Sequence, residues 1–334
     1  MANNKYNYQK NLTAHRRSQG QLPILVEPTD EDAQAKFVST GVLDLRTVEI
    51  PLNRIAVLYR KRKDSLALEL ELKRCNIPYR VTSGTVFFES AHIKDILAYL
   101  RVVANKTDEL AWKRILRPVG DVGPKTAQVI WQSLAESKEP LVDFREAALL
   151  SKRGRSSLLI LHALLVKLSQ ESSPAAQIRI VLESNYKDHL GRYENASERL
   201  EDIEALIAYA EKFSTTTDFL ADLALEPPKD RNDGSAEDDE KPLLLSTIHQ
   251  VKGLEFRAVF LISANEGNFP STRTLAEDPT GGEEEERRLF YVAITRAEDL
   301  LFITCPLRSI DRKGAISLNP KSRFISELDR HLFE

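Results

Sequence analysis

The sequence predicts a parallel α/β domain interrupted by an inserted all-helical domain, and three observations carry that expectation. Arg54-Ile55-Ala56-Val57-Leu58-Tyr59-Arg60 is a buried strand pattern, followed by a helical stretch from about Ser65 to Arg74 and a second strand pattern at Tyr79-Arg80-Val81. Strand, helix and strand with short joints form the βαβ unit of parallel sheets. From about Glu89 to Ala224 the period changes to that of helices. Ile93, Ile96, Leu97 and Leu100 show the helical period, as do Leu158, Leu161, Leu164, Leu165 and Leu168, and then Leu200, Ile203, Leu206 and Ile207. The strand pattern then returns at Leu243-Leu244-Leu245 and at Ala258-Val259-Phe260-Leu261-Ile262. The α/β domain is therefore expected in two parts, 1–88 and 243–334, with a helical insertion at 89–225 and a linker at 226–242.

Taken in order, residues 1–21 are polar and basic without a clear period and read as an extended arm. Pro23-Ile24-Leu25-Val26 is a short strand. Thr29-Asp30-Glu31-Asp32 opens a helix expected to run to about Ser39. An acidic cluster after a strand superficially resembles a Mg²⁺-holding carboxylate site. The N-cap reading is preferred, because a Thr or Asp there accepts a backbone amide and acids suit the first turn. In the helix after Lys63, Leu66, Leu70 and Leu72 face inward, and Asn76-Ile77-Pro78 ends it, since the residue before proline leaves the helical region. Glu226-Pro227-Pro228 through Glu240-Lys241-Pro242 is charged and poor in apolar residues, which is linker composition. After it come strands at 243–248 and 258–262, a loop with Gly267, Pro270 and Gly281-Gly282, a helix from Glu283, a strand at 300–304 and a last short helix after Asn319-Pro320.

The 334 residues suit two domains, and 42% hydrophobic with 29% charged residues is ordinary for a chain with a full core. A net charge of −3 argues against global attraction to nucleic acid but leaves room for a local basic groove. Cys75 and Cys305 make no disulfide framework, so a reducing, cytoplasmic home is expected. The six histidines show no Cys/His ligand spacing, and no structural metal is expected. No apolar run approaches the roughly 20 residues that span a bilayer, and no membrane partner is expected.

Two stretches stand apart as sites. Ser246-Thr247-Ile248-His249-Gln250-Val251-Lys252-Gly253-Leu254-Glu255-Phe256 follows a buried strand and brings His249, Lys252 and Glu255 close around Gly253. Polar groups at the carboxyl end of a buried strand are where open α/β sheets bind ligands. The second stretch opens with Glu283-Glu284-Glu285-Glu286-Arg287-Arg288. It then spaces Leu289, Val292, Ala293 and Arg296 at i, i+3, i+4 and i+7, an apolar helix face ending in a guanidinium. Thr-x-His-x-x-Lys-Gly-Leu-Glu-Phe followed by Glu-Glu-x-Arg-Arg-Leu-x-Tyr-Val-x-x-Thr-Arg-Ala resembles motifs V and VI of the UvrD/PcrA/Rep group of superfamily 1 DNA helicases.

That resemblance, which covers roughly residues 20–330, implies a RecA-like fold (domain 2A) for the α/β part and domain 2B for the helical insertion. It implies ATP with Mg²⁺ as cofactor, held mainly by an N-terminal lobe of domains 1A and 1B that lies outside this sequence. No Gly-Lys dipeptide of a phosphate-binding loop occurs here, so the chain by itself is expected to be inactive. Arg296 resembles the motif VI arginine finger; its residue-level alternative is a cap on its helix's last carbonyls or a pair with Glu298. Glu255 resembles the ribose-binding glutamate, against a salt bridge to Arg257 or Lys252. Lys252, beside Gly253, contacts phosphate or braces Glu255. Thr247 and His249 resemble residues that face single-stranded DNA. Glu285, Glu286, Arg287 and Arg288 form either a network between the two sites or helix salt bridges.

A third stretch, Ile115-Leu116-Arg117-Pro118-Val119-Gly120-Asp121-Val122-Gly123-Pro124-Lys125-Thr126-Ala127, resembles a helix-hairpin-helix. The resemblance implies duplex DNA contact through Arg117, Gly123, Lys125 and Thr126, with Asp121 standing where the turn's first glycine belongs. The alternative is a tight interhelical turn in which Gly123 supplies a positive φ and Pro124 opens a helix. The expected function is the C-terminal portion of an ATP-dependent 3′–5′ DNA helicase of repair or replication, with single-stranded DNA, its junction with duplex and the N-terminal lobe as partners. A non-enzymatic DNA-binding or regulatory module is the alternative.

Overall fold

The computed structural model describes residues 21–82, 86–119, 122–135, 152–224, 241–310 and 316–334. The expected N-terminal arm and most of the linker lie outside them. Two compact units emerge, one from residues up to Phe87 and from Leu225, the other Phe88–Ala224. The chain runs β1 (Ile24–Val26), α1 (Glu31–Thr47), β2 (Ile55–Tyr59), α2 (Leu66–Arg74) and β3 (Tyr79–Val81). Helices follow: α3 (Ala91–Ala104), α4 (Glu109–Leu116), α5 (Pro124–Ala135), α6 (Lys152–Ser169), α7 (Pro174–Leu182), α8 (Tyr186–Leu190), α9 (Ala196–Ala210) and α10 (Thr216–Leu223). The α/β pattern resumes with β4 (Leu243–Thr247), β5 (Phe256–Leu261), α11 (Thr272–Glu277), α12 (Gly282–Ile294), β6 (Ala297–Thr304), β7 (Arg308–Ile310), β8 (Ile316–Leu318) and α13 (Arg323–Ser326).

Six strands form one all-parallel sheet in the order β1-β6-β5-β2-β4-β3. All five residues of β2 are buried, which is what a parallel strand covered on both faces requires. Alternate residues divide between the faces. Ile55, Val57 and Tyr59 pack with Val38, Val42 and Leu45 of α1 and Leu68 and Leu72 of α2. Ala56 and Leu58 belong to the opposite layer, with Phe290 and Ala293 of α12. Among the described residues, no helix is long and apolar enough to cross a membrane.

Asp30 is the N-cap of α1 and its carboxylate accepts the Ala33 amide at 3.0 Å, so the acidic cluster is a helix start. The helix runs eight residues past the expected end at Ser39, to Thr47. Val42 and Leu45 extend the buried stripe of Val38, and Gly41 sits mid-helix because a Cβ there would meet the Phe260 ring at 3.0–3.1 Å. That ring cannot yield readily: it stacks on Phe302 at 4.5 Å between centroids. The short antiparallel pair β7–β8 was not expected from the sequence.

The α/β unit also buries a carboxyl group. Glu69 on α2 is 1% exposed. It accepts the Phe87 amide at 3.0 Å and sits 2.7 Å from Ser65 Oγ, which itself lies 2.8 Å from the Arg62 carbonyl. A hydroxyl has one proton. If Ser65 donates it to the Arg62 carbonyl, the contact with Glu69 requires a proton on the carboxyl. Desolvation agrees, pushing Glu69 up to about 7 against the Ser65 and Phe87 hydrogen bonds and the charges of Arg62 and Lys73.

In the helical unit α3 is the hub, and its His92 meets Asp202 of α9 at 3.0 Å with both side chains buried. Trp112 of α4 is fully buried and donates its indole N–H to the Lys106 carbonyl at 2.9 Å.

Two predictions follow from this packing. Gly41→Ala should destabilise the chain by about 1 kcal/mol, the overpacking cost exceeding alanine's helix preference; a urea midpoint equal to or above wild type would contradict it. For Glu69 the folded pKa is raised. Its protonated form therefore contributes stability that is fully present below the usual value of 4.5 and lost as pH rises through about 7. Glu69→Gln should match wild type near pH 5 and exceed it near pH 8 by on the order of 2–3 kcal/mol, read by denaturant unfolding at both pH values.

Candidate functional site

Because the sheet is all-parallel, every strand delivers its carboxyl end to the same edge. Tyr59 and Thr247 are register partners at that edge. Arg60 follows Tyr59 directly and His249 lies two residues past Thr247, near enough for the Arg60 charge to act on the imidazole. Arg60 is the first polar residue after a fully buried strand. It reaches α12 and holds Glu286 with two hydrogen bonds, Nη2 to Oε1 at 2.6 Å and Nε to Oε2 at 3.1 Å. Thr274 of α11 donates to the same carboxylate at 2.7 Å. Glu286 is 2% exposed. Desolvation alone would push its carboxyl up, but Arg60 and Thr274 outweigh it and hold it below the usual carboxylate range.

Thr247 ends β4 half-buried, and His249 sits on the exposed side of the 3-10 turn Ile248–Val251. Partial desolvation, then the Arg60 charge, push the His249 pKa below its ordinary value against the pull of Glu286 and Glu285. The imidazole is therefore neutral at pH 7 and acts as a hydrogen-bonding group rather than as a cation.

The second group lies at the opposite edge. Phe256 and Ala297 are register partners at the amino ends of β5 and β6, and each is preceded by a predicted site residue, Glu255 and Arg296. The Phe256 amide donates to the Arg296 carbonyl at 2.9 Å. Arg296 is not the last residue of a helix face, as its spacing suggested. Helix α12 ends at Ile294 with Thr295 as C-cap, and Arg296 lies in the step into β6. Its guanidinium folds back, Nε donating to the Val292 carbonyl and Nη1 to the Leu254 carbonyl, both at 3.0 Å, and Nη2 to Thr295 Oγ1 at 3.2 Å. The capping role is thus real, while the alternative partner Glu298 binds Arg54 at 2.7 Å. Three of the five N–H donors of the guanidinium are engaged, all with neutral acceptors, so two donors and the full charge remain.

Glu255, Lys252 and Gly253 are exposed. Neither Glu255 nor Lys252 forms an ion pair among the described residues, and Arg257 is taken by Asp299 at 3.0 Å. Gly253 has φ +90°, so this turn requires glycine. The expected convergence of His249, Lys252 and Glu255 around Gly253 is not what the fold builds. Thr247 and Phe256 lie at opposite edges of the sheet, about 20 Å apart at 3.3 Å per residue. The connection from Ile248 to Glu255 descends between them. Helix α12 spans the same height, with Glu286 at one edge and Arg296 just beyond its other end. Its charged start mixes both readings: Arg287 pairs with Glu283 and Glu284 one turn back and also with Glu327, whereas Glu286 reaches Arg60.

In the helical unit, α4 and α5 are neighbours on either side of the predicted hairpin turn, whose residues 120 and 121, Asp121 among them, lie outside the described residues. Arg117, Gly123 and Lys125 are exposed and Thr126 is half-exposed at the start of α5. Pro124 opens that helix as expected, but Gly123 does not adopt a positive φ. Its carbonyl instead accepts the Ala127 amide at 2.9 Å, which makes it the first turn of α5. Among the described residues, no group of three or more His, Cys, Asp or Glu side chains is placed to hold a metal ion.

Arg60→Ala should cost about 3 kcal/mol, because it strands a buried carboxylate. Arg60→Met combined with Glu286→Leu should recover most of that loss; denaturant unfolding of the single and double variants checks the coupling.

Comparison with known proteins agrees with the α/β architecture. The UvrD-like helicase C-terminal domain matches residues 1–307. DNA helicase II of Haemophilus influenzae is 32% identical over 100% of this chain and 48% of its own length. The ATP-dependent DNA helicase PcrA of Bacillus subtilis is 33% identical over 91% of this chain and 43% of its own. PcrA of Staphylococcus aureus is 32% identical over 92% and 44%. The chain thus spans about half the length of these curated relatives. It belongs to the UvrD-like helicase C-terminal domain family.

Proposed function

We propose that this chain is the second motor lobe, domains 2A and 2B, of a UvrD/PcrA-type 3′–5′ DNA helicase, and that it completes an ATP site whose phosphate-binding loop belongs to an N-terminal lobe. The observation that carries the proposal is the pairing of Glu255 and Arg296 at the amino edge of the sheet, each one residue ahead of the register partners Phe256 and Ala297. An arginine clasped only by neutral groups is positioned without being neutralised, which suits a residue that meets charge developing on a transferred phosphoryl group. The unpaired Glu255 carboxylate can accept two ribose hydroxyls. Lys252 and Gly253 sit in the same turn, and Lys252 adds a positive charge for the nucleotide.

Single-stranded DNA would lie at the other edge, on Thr247 and the neutral His249, whose hydroxyl and imidazole donate to phosphate without reading sequence. Helix α12, fixed at Glu286 by Arg60 and ending beside Arg296, gives the two sites a rigid connection. Arg117, Lys125 and Thr126, with the amides after Gly123, offer the helical domain a phosphate contact at the start of α5. ATP with Mg²⁺ would be shared with that N-terminal lobe, this chain supplying the ribose contact and the finger.

Reconstitution tests this reading. This chain mixed with a separately produced N-terminal lobe should hydrolyse ATP when single-stranded DNA is added, and neither half should do so alone. Arg296→Ala should lower kcat by about a thousandfold or more, with circular dichroism confirming intact folding. A verified complex of folded halves without activity would favour a regulatory module instead.

A further inference from the structure

The helical unit carries a concavity of which the proposed function uses only Arg117. It is a groove of about 340 Å³ between α3 and α4. Phe88, Leu97 and Ala98 lie buried at its base, Leu110, which is 79% exposed, and the half-buried Leu223 bring open apolar surface to its wall, and Lys94, Arg101 and Arg117 stand on its rim. Lys94, Leu97, Ala98 and Arg101 are spaced i, i+3, i+4 and i+7 along one face of α3, so base and rim share a rigid helix. Lys113 and Arg114 line the groove too, but Glu109 neutralises the first and Asp95, at 2.6 Å, the second. Lys94, Arg101 and Arg117 are exposed and form no ion pair among the described residues. No carboxylate lines the groove. A local excess of three positive charges is therefore concentrated on a chain whose net charge is −3.

The combination selects the occupant. A phosphate backbone would use the rim but has nothing to place against an apolar wall. Bases need an open aromatic face, and the single aromatic lining residue, Phe88, is 9% exposed. An amphipathic peptide with acidic flanks satisfies both halves, its apolar side chains against the wall and its carboxylates on the rim. We propose that this groove docks an acidic amphipathic segment of a partner protein, with leucine- or phenylalanine-type anchors against Leu110 and Leu223 and carboxylates on Lys94, Arg101 and Arg117.

The probe is a short fluorescein-labelled peptide in which glutamates flank two leucines and a phenylalanine, titrated with the full chain and read by fluorescence anisotropy. Saturable binding is expected. It should weaken at least about tenfold for the Lys94→Glu/Arg101→Glu variant, whose two positions are exposed and unpaired. It should weaken similarly when the apolar residues of the peptide become serine, and stay unchanged for Lys187→Glu on α8. Three results would overturn the proposal. The peptide fails to bind, the serine peptide binds equally well, or a labelled oligothymidylate binds in its place and is the ligand that the charge reversal releases.

Discussion

β2 hydrogen-bonds to β4 on one side and to β5 on the other, both in parallel, and the rest of the α/β unit depends on that arrangement. Parallel pairing aligns strand ends, so residues that flank register partners become neighbours whatever their separation in sequence. Arg60 and His249 lie at one edge for this reason, and Glu255 and Arg296 at the other. The register can hold because β2 is apolar on both faces. Slipping it by one residue would exchange Val57 and Leu58 between two differently filled layers.

Two carboxyl groups buried within this frame tie one element to another. Glu286 is held by Arg60 and Thr274, and Glu69 by Ser65 and the Phe87 amide. These contacts do different work. The first ties α12 to the end of β2, so that residues at the two ends of the helix keep a fixed distance from each other. The second ties α2 to the last residue of the α/β unit before the chain leaves it. A buried ion pair adds little net stability compared with apolar residues of the same size, but it specifies geometry because either charge left alone is costly.

Much of this was legible in the sequence. Apolar runs of strand length gave β2, β4 and β5, the helical period gave α3 and α9, and Asp30 announced α1. What failed has physical causes. Gly41 hides the second half of α1, because a glycine in a helix reads as a stop unless the ring that fills its place is known. Arg296 has helical spacing from Val292 and Ala293, yet the chain has already left the helix, since spacing alone does not register a C-cap. The division of the Thr247–Phe256 stretch between two edges was invisible because local sequence does not reveal how a connection crosses the height of a sheet. Arg60 was detectable in part, as the first charge after five buried residues, but its partner lies 226 positions away.

The helical unit is inserted between β3 and β4, which are adjacent and parallel. A chain joining two such strands must in any case leave from the carboxyl edge and return to the amino edge, a journey of a dozen or more residues that usually carries one helix. Here everything from Thr82 to Pro242 makes that journey. Lengthening a connection roughly thirteenfold adds only about 2 kcal/mol of closure entropy, and a unit with its own core offsets this through its own packing. The sheet therefore experiences the insertion as an ordinary crossover. Evolution could exchange, enlarge or repurpose the helical unit without renegotiating a single strand pairing, which leaves the inserted unit the freest part of the molecule to acquire new contacts.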